Sequence, residues 1–174
     1  MSVLSTPARD AAPGGRAGEL VRTLQLLPHP EGGYFREVFR SAEHVVPLDA
    51  RGARSALTTI DFLLARGQFS AWHRVASDEV WHLLEGGPLR LALMPPALDR
   101  IDIVELGASA SAAVMRHAVP ARWWQAAEPL GDFAYVGATV GPGFDYADFS
   151  FGRDAVVEVR DAITRLRPEL LRLL

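Results

Sequence analysis

The chain has 174 residues, of which 49% are hydrophobic and 22% charged, a balance typical of one globular domain. Its net charge of −3 argues against a protein that tracks nucleic-acid phosphates, and no apolar run reaches the ~18 residues of a membrane-spanning helix. Because the N-terminus lacks the apolar core of a signal peptide, we expect a cytoplasmic location.

Three residue types are absent, and two of these absences exclude specific chemistries. The sequence has no cysteine, which excludes disulfides, thiolate nucleophiles and thiolate metal sites. It has no lysine, so all 18 basic residues are arginine, and neither Schiff-base chemistry nor a P-loop lysine is possible. Asparagine is also missing.

The first predicted elements are a tail and a short helix. Residues 1–18 contain almost no large apolar side chains and are predicted to form a flexible tail. Apolar residues then recur near helical spacing over residues 19–27, until Pro28 ends the predicted helix. The folded part of the chain is therefore predicted to be one domain, from residue 19 to residue 174.

Strand signals recur about every ten residues through the rest of the chain. The segments are short, rich in β-branched or aromatic residues, and separated by Gly, Pro or Asp turns. Only residues 155–174 are predicted to be helical. The pattern is typical of a sandwich or closed barrel. The predicted strands are 55–64, 69–75, 79–84, 89–94, 101–106, 113–119, 133–140 and 145–151.

The stretch from residue 67 to residue 86 carries the candidate chemistry. Within it, Gly67, His73, Glu79 and Gly86 stand at the spacing of the first cupin motif. That motif normally has a second histidine where this chain has Val75. The stretch therefore resembles a degenerate form of the first cupin motif.

A second stretch resembles the second cupin motif. It runs over residues 119–125, Val-Pro-Ala-Arg-Trp-Trp-Gln. Arg122 stands at the usual glycine of that motif, and Gln125 stands at its usual metal-binding histidine. This motif, too, departs from the family pattern at its metal ligand.

Within the cupin superfamily, the chain is most similar to a group described as predicted sugar epimerases. The resemblance extends from about residue 20 to residue 174. It implies an all-β jelly-roll barrel, here with short N- and C-terminal helices, commonly a homodimer, with the ligand pocket inside the barrel. The fragments that carry it are Pro-His-Pro-Glu-Gly-Gly-Tyr (28–34), Trp-His-Arg (72–74), Asp-Glu-Val-Trp-His (78–82) and Val-Gly-Pro-Gly-Phe-Asp (140–145).

Strand geometry indicates which side chains of the motifs share a face. Side chains alternate, so His73 and Val75 point the same way. Glu79 and Trp81 also share a parity and are expected inside, with His82 on the opposite face. The possible metal donors are then His73, Glu79 and the weak amide oxygen of Gln125. We therefore predict no firmly bound metal and no cofactor.

The expected pocket suits a small polar organic ligand with a flat or sugar-like face. His73 and Glu79 are the candidate catalytic pair, in which the carboxylate would fix the tautomer of the imidazole. For Tyr34 a place at the barrel mouth and plain packing both remain open, as do pocket lining and packing for His117. The predicted ligand-binding residues are Tyr34, His73, Glu79, Trp81, His117 and Gln125.

The remaining histidines are assigned to other roles. His82 is expected to be structural or to lie at a subunit contact. His29 sits among prolines and glycines and is expected to serve a turn, and His44 is expected to be exposed. The homodimer is expected to form through one barrel face that includes Val80 and Leu84.

Three functional hypotheses follow. The first is a metal-independent epimerase or isomerase acting on a sugar-like substrate, with His73 as base and one of Tyr34, Tyr135 and Tyr146 as acid. The second is a non-catalytic module that binds a metabolite. The third is a metal-dependent oxygenase, which Val75 and Gln125 disfavour because it ordinarily needs two histidines and a carboxylate.

Overall fold

A computed structural model describes residues 13–107, 114–155 and 157–174. Its helices are α1 (Gly15–Thr23) and α2 (Val157–Leu166), with 3-10 turns at Tyr146–Asp148, Gly152–Asp154 and Pro168–Leu173. Its strands are β1 (Leu27–Pro28), β2 (Tyr34–Arg40), β3 (His44–Val45), β4 (Arg54–Ser55), β5 (Thr58–Ala65), β6 (Ser70–Val75), β7 (Asp78–Gly86), β8 (Leu89–Met94), β9 (Asp102–Leu106), β10 (Arg116–Val119), β11 (Trp124–Pro129), β12 (Phe133–Gly141) and β13 (Phe149–Phe151).

Two antiparallel sheets face one another. The first has the strand order β1-β2-β5-β12-β7-β10, and the second has the order β13-β6-β11-β8-β9. Neighbours in the sheets are often distant in sequence, which is characteristic of a jelly roll. Within the described residues, no ladder joins the two sheets into a closed barrel. The predicted all-β jelly roll is thus confirmed, in the form of two packed sheets.

The main core lies between the sheets because strand side chains alternate faces. In β7, Glu79, Trp81 and Leu83 are buried, whereas the residues between them are more exposed, as the parity argument predicts. Leu91 and Leu93 of β8 join the same cluster from the second sheet. Full burial of a leucine contributes about 1.5–3 kcal/mol. This core therefore holds the two sheets together around the site.

The two helices cover the outer faces of the sheets. Helix α1 packs Leu20 and Val21 against Leu63 of the first sheet. Helix α2 and the 3-10 turn that follows it pack against the second sheet, where the indole Nε1 of Trp72 donates a hydrogen bond of 3.1 Å to the Leu170 carbonyl. No helix within the described ranges is long and apolar enough to cross a membrane.

The N-terminal boundary differs from the prediction. Helix α1 begins at Gly15, inside the predicted tail, and ends at Thr23. Small residues rather than large apolar ones make this packing possible, since Ala17 and Gly18 are buried and a Cβ at Gly18 would lie 1.9 Å from the Pro13 carbonyl oxygen. Residues 1–12 of the predicted tail, like Ala113 at the start of one predicted strand, lie outside the described residues.

Strands β1, β2 and β3 are absent from the predicted set, and two later elements also differ from the sequence prediction. Strand β11 is missed because its Ala-rich sequence has weak strand propensity, and its place between β6 and β8 decides its structure instead. The predicted strand 145–151 is a 3-10 turn followed by the short β13, and the Asp145 side chain caps the turn by accepting a hydrogen bond of 2.8 Å from the Ala147 amide.

Candidate functional site

A cavity of about 350 Å³ lies between the inner faces of the two sheets. This volume is within the range of small-molecule sites. Some of the side chains that line it are titratable, others are aromatic, and the rest are aliphatic or small. The lining residues are His29, Glu31, Phe35, Glu37, Arg40, Thr58, Ile60, Phe62, His73, Val75, Glu79, Trp81, Ala138, Val140, Phe144, Asp145 and Tyr146.

His73 lies on β6, and its side chain is 2% exposed. Its Nδ1 donates a hydrogen bond of 2.7 Å to the Ala71 carbonyl oxygen, so Nε2 keeps its lone pair in the neutral ring. The ring stacks on Phe149 with centroids 5.4 Å apart. Burial lowers the pKa of His73, which keeps the imidazole neutral. The Ala71 carbonyl, and not Glu79 as predicted, therefore fixes its tautomer.

Glu79 lies on β7 and is held from behind by a buried chain of hydrogen bonds. The Gln125 amide nitrogen donates to Oε2 of Glu79, and the Gln125 oxygen accepts a bond of 2.9 Å from the Trp81 indole. Burial raises the pKa of Glu79 to about 7, against the smaller opposing effects of His73 and Gln125. Its carboxyl group can therefore gain or lose a proton near neutral pH.

Glu31, whose side chain is 10% exposed, is a second carboxyl group in the cavity, and sequence reasoning missed it. Its Oε2 accepts a bond of 2.7 Å from the Ser70 hydroxyl and lies 3.3 Å from Nδ1 of His73. Burial raises its pKa as well. Its position in the fragment 28–34 that carries the family resemblance is the one signal that could have identified it.

His29 combines the predicted turn role with a place in the cavity. Its backbone amide donates to the Gly33 carbonyl at 2.9 Å, and its ring packs edge-on against Phe35 with centroids 4.4 Å apart. Gly32, at φ +110°, is required here because a Cβ would lie 2.1 Å from the Phe69 carbonyl oxygen. The turn is thereby pressed against the sheet, which brings the His29 ring into the cavity.

The outer part of the cavity holds an ion pair and a tyrosine. Arg40 donates to both carboxylate oxygens of Glu37, at 3.0 and 2.7 Å, and to the Phe144 carbonyl at 3.2 Å. Tyr146 lines this part and is 63% exposed. Of the three tyrosines, all within the described residues, Tyr146 alone lines the cavity.

The structure brings together three of the six predicted ligand-binding residues. His73, Glu79 and Trp81 line the cavity, and Gln125 lies directly behind Glu79 and Trp81. All four residues lie on strands, and all four belong to the two stretches of sequence that resemble the cupin motifs.

Tyr34 and His117 do not line the cavity. Tyr34 packs in the cluster beneath α1, because the adjacent Phe35 takes the inward position on β2. His117 pairs with Trp81 in register but belongs to the edge strand β10, which contributes nothing to the lining. The structure therefore places Tyr34 in a packing position and His117 outside the cavity lining.

The other predicted placements agree with the structure in part. His44 is exposed, and His82 is half-buried on the face of β7 opposite Glu79. Tyr135, a candidate acid, lies beside Asp61, and burial together with that carboxylate raises its pKa to about 12. Tyr135 is not in the lining, so it is not positioned to act as an acid there.

The donor set of the cavity does not fit a transition metal. In the part of the chain that the structure describes, no group of three or more His, Cys, Asp or Glu side chains is arranged to hold an ion. Val75 lines the cavity beside His73, and the Gln125 oxygen is already bonded to Trp81. A site for zinc or iron normally needs three or more such ligands.

Comparison with known proteins places this architecture in context. The family model described as "Cupin superfamily (DUF985)" matches residues 18–152. A hypothetical protein from Leishmania major is 30% identical, with a TM-score of 0.75 over 91% of this chain and 96% of its own. A protein from Shewanella oneidensis is 26% identical, with a TM-score of 0.73 over 92% and 95% of the two chains.

More distant similarity reaches characterised enzymes. Oxalate decarboxylase from Bacillus subtilis is 18% identical, with a TM-score of 0.54 over 84% of this chain and 36% of its own. At this identity the likeness shows the fold alone. A search of curated proteins finds no match.

Proposed function

The chain belongs to the cupin superfamily (DUF985), and on that premise we propose that its cavity binds a small polar organic molecule and catalyses proton transfer on it. The reaction class is that of a metal-independent epimerase or isomerase acting on a sugar-like substrate. Support for the reaction class comes from the titratable groups of the cavity and from the resemblance of the motif fragments to predicted sugar epimerases.

The observation that carries the proposal is the position of Glu79. Its carboxyl group faces a cavity of suitable volume, and its pKa of about 7 matches that of a general base working at neutral pH. Burial lowers the pKa of His73 beside it, so the neutral imidazole of His73 is a weaker base than an unperturbed one. Glu79 is therefore a better base for this cavity than His73, the residue that the sequence analysis assigned as the base.

The proposed step is a proton shift next to a carbonyl group. Ionised Glu79 removes the proton from the carbon next to the substrate carbonyl, and the electron pair of the broken C–H bond moves onto the carbonyl oxygen as an enolate. Return of a proton to the opposite face of that carbon gives the epimer. Tyr146 is the candidate donor, because it is the tyrosine that lines the cavity, and its exposed phenol can regain a proton from water.

Solvent deuterium exchange tests the reaction. Ligands retained by the purified protein are identified by mass spectrometry after denaturation, and each is then incubated with the protein in D₂O. We expect NMR to show exchange of the C–H next to the carbonyl, with loss of at least 100-fold in rate for Glu79→Gln. The matched control is Glu85→Gln, an exposed carboxylate paired with Arg16.

The second candidate is a non-catalytic binding module. The observation that favours it is the exposure of Tyr146, which leaves the inner part of the cavity without a tyrosine opposite Glu79. A ligand that binds in the cavity without any C–H exchange would support this module and contradict the epimerase.

A further inference from the structure

The hydrogen bonds of the inner cavity determine which polar atoms remain for a ligand, and the inference drawn from them rests on the proposed function. His29 accepts at Nδ1 from the Glu31 amide at 3.1 Å, so its neutral ring carries its hydrogen on Nε2. His73 donates from Nδ1, so its Nε2 is an acceptor. The inner cavity thus has one imidazole donor and one imidazole acceptor.

The two inner carboxyl groups each have one oxygen left over. Oε2 of Glu79 is bonded to Gln125 and Oε2 of Glu31 to Ser70, while Oε1 of each accepts no hydrogen bond from another described residue. No side-chain polar atom among the described residues is both buried and without a partner. Both Oε1 atoms must therefore be accessible from the cavity. With both carboxyl groups ionised, the side chains of Glu31, Glu79, His29 and His73 together offer three free acceptors against one free donor.

The charges of the lining are also unbalanced. Four carboxyl groups line the cavity, from Glu31, Glu37, Glu79 and Asp145. Arg40 is the one guanidinium among the described lining residues, and it is engaged by Glu37 and the Phe144 carbonyl. Glu31 and Glu79 therefore have no arginine to neutralise them. The imidazoles of His29 and His73 lie beside them, but burial lowers the pKa of both rings and so disfavours their charged forms.

We propose that the ligand carries an ammonium group next to hydroxyl groups, as amino sugars and amino alcohols do, and that Glu31 and Glu79 receive the ammonium. An ammonium supplies three donors and the missing positive charge. The indole of Trp81 and the ring of Phe62, which pack edge-on at 5.9 Å, give this cation aromatic neighbours. The ionised forms of Glu31 and Glu79 disfavour carboxylate and phosphate ligands by like-charge repulsion.

Ammonium binding must release protons. Burial raises the pKa of Glu79 to about 7, so Glu79 is largely protonated at pH 6 in the empty cavity, and burial shifts the pKa of Glu31 in the same direction. An ammonium beside the two carboxyl groups favours their ionised forms. A neutral alcohol of the same shape lacks this charge and leaves Glu79 protonated.

Matched probes test the inference on the wild-type protein. One set is glucosamine, glucose and glucuronate, and a smaller set is 3-amino-1,2-propanediol, glycerol and glycerate. Calorimetry at pH 6 in two buffers of different ionisation enthalpy gives both Kd and proton release. We expect the amine of at least one set to bind 10-fold or more tighter than its neutral partner, with release of about one proton, and the carboxylate not to bind.

Isosteric variants locate the effect. Glu79→Gln and Glu31→Gln should each weaken amine binding at least 10-fold and reduce proton release, whereas the exterior variant Glu85→Gln should bind like wild type. An amine that binds no tighter than its neutral partner in both sets, or no amine binding at all, overturns the inference. Tighter binding of the neutral sugar would overturn it while leaving the proposed function intact. Amine binding without deuterium exchange would instead contradict the catalytic function alone.

Discussion

The Gln125 amide nitrogen donates a hydrogen bond to the carboxylate of Glu79, and its orientation is fixed from the other side. The Trp81 indole can only donate, so it must meet the Gln125 oxygen, and the amide nitrogen is left facing Glu79. One glutamine, standing where related motifs place a metal-binding histidine, thereby supports a carboxyl group whose pKa is about 7.

Glu79→Gln should stabilise the protein at pH 8 and change its stability little at pH 5. Burial raises the pKa of Glu79 from 4.5 to about 7, so between these pH values the folded state binds more protons than the unfolded state. The free energy of unfolding then falls as pH rises through this window. The 2.5-unit difference between 4.5 and 7 corresponds to roughly 3 kcal/mol, an upper bound for the gain. Urea unfolding at pH 5, 6, 7 and 8 measures it.

The comparison between variant and wild type removes the contribution of His29 but not all of that of His73, because the Glu79 carboxylate raises the pKa of His73. Burial lowers the pKa of His29 and of His73, so their effect on stability has the opposite sign, with loss as pH falls below about 6.5. Glu85→Gln serves as the exterior control. A difference between Glu79→Gln and wild type that does not vary with pH would contradict the raised pKa.

Gln125→Met should destabilise the protein more at pH 8 than at pH 5. The substitution keeps the volume but leaves the Trp81 indole without its acceptor, which costs about 1–3 kcal/mol at any pH. It also removes the donor to ionised Glu79, a cost that disappears once Glu79 is protonated. Unfolding of both single variants and of the double variant with Glu79→Gln gives the coupling energy of the pair. A coupling near zero at pH 8 would mean that the bond contributes nothing to stability.

Val75→His should create a metal site that the wild-type protein lacks. The new imidazole would share the cavity with His73 and Glu79 and complete a set of two histidines and one carboxylate. We expect about one Zn²⁺ per chain in the dialysed variant by elemental analysis, and much less than one in wild type and in the control Val75→Leu. About one transition metal per chain in dialysed wild type would contradict the prediction and favour the oxygenase hypothesis.

Leu84→Asp should convert a homodimer to a monomer. Leu84 is 53% exposed and shares the outer face of β7 with the half-buried Val80, and this face is where we expect two copies to pair. A charge there would be buried without a partner in the dimer. Light scattering at micromolar concentration should give twice the mass of one chain for wild type and the mass of one chain for the variant. The mass of one chain for wild type would contradict the homodimer.

Much of the site was determined by the sequence through the two-residue period of strands. The parity of β6 and β7 placed His73, Val75, Glu79 and Trp81 on inward faces, and all four line the cavity. The same alternation also excludes Tyr34, because Phe35 holds the inward position of β2. The sequence left the role of Tyr34 open because the position of α1 was not known. In the structure α1 covers the outward face of β2, where Tyr34 packs.

The tertiary structure alone decided what the turn containing His29 and Glu31 and the strand β11 contribute to the site. His29 and Glu31 reach the cavity because glycine at position 32 lets their turn approach the Phe69 carbonyl, a contact between segments far apart in sequence. Gln125 became a support for Glu79 only because β11 and β7 lie in opposite sheets that face each other. The local periodicity of a strand determines which face a side chain occupies. The partners of that side chain depend on how distant segments pack, and this packing cannot be read from spacing along the sequence.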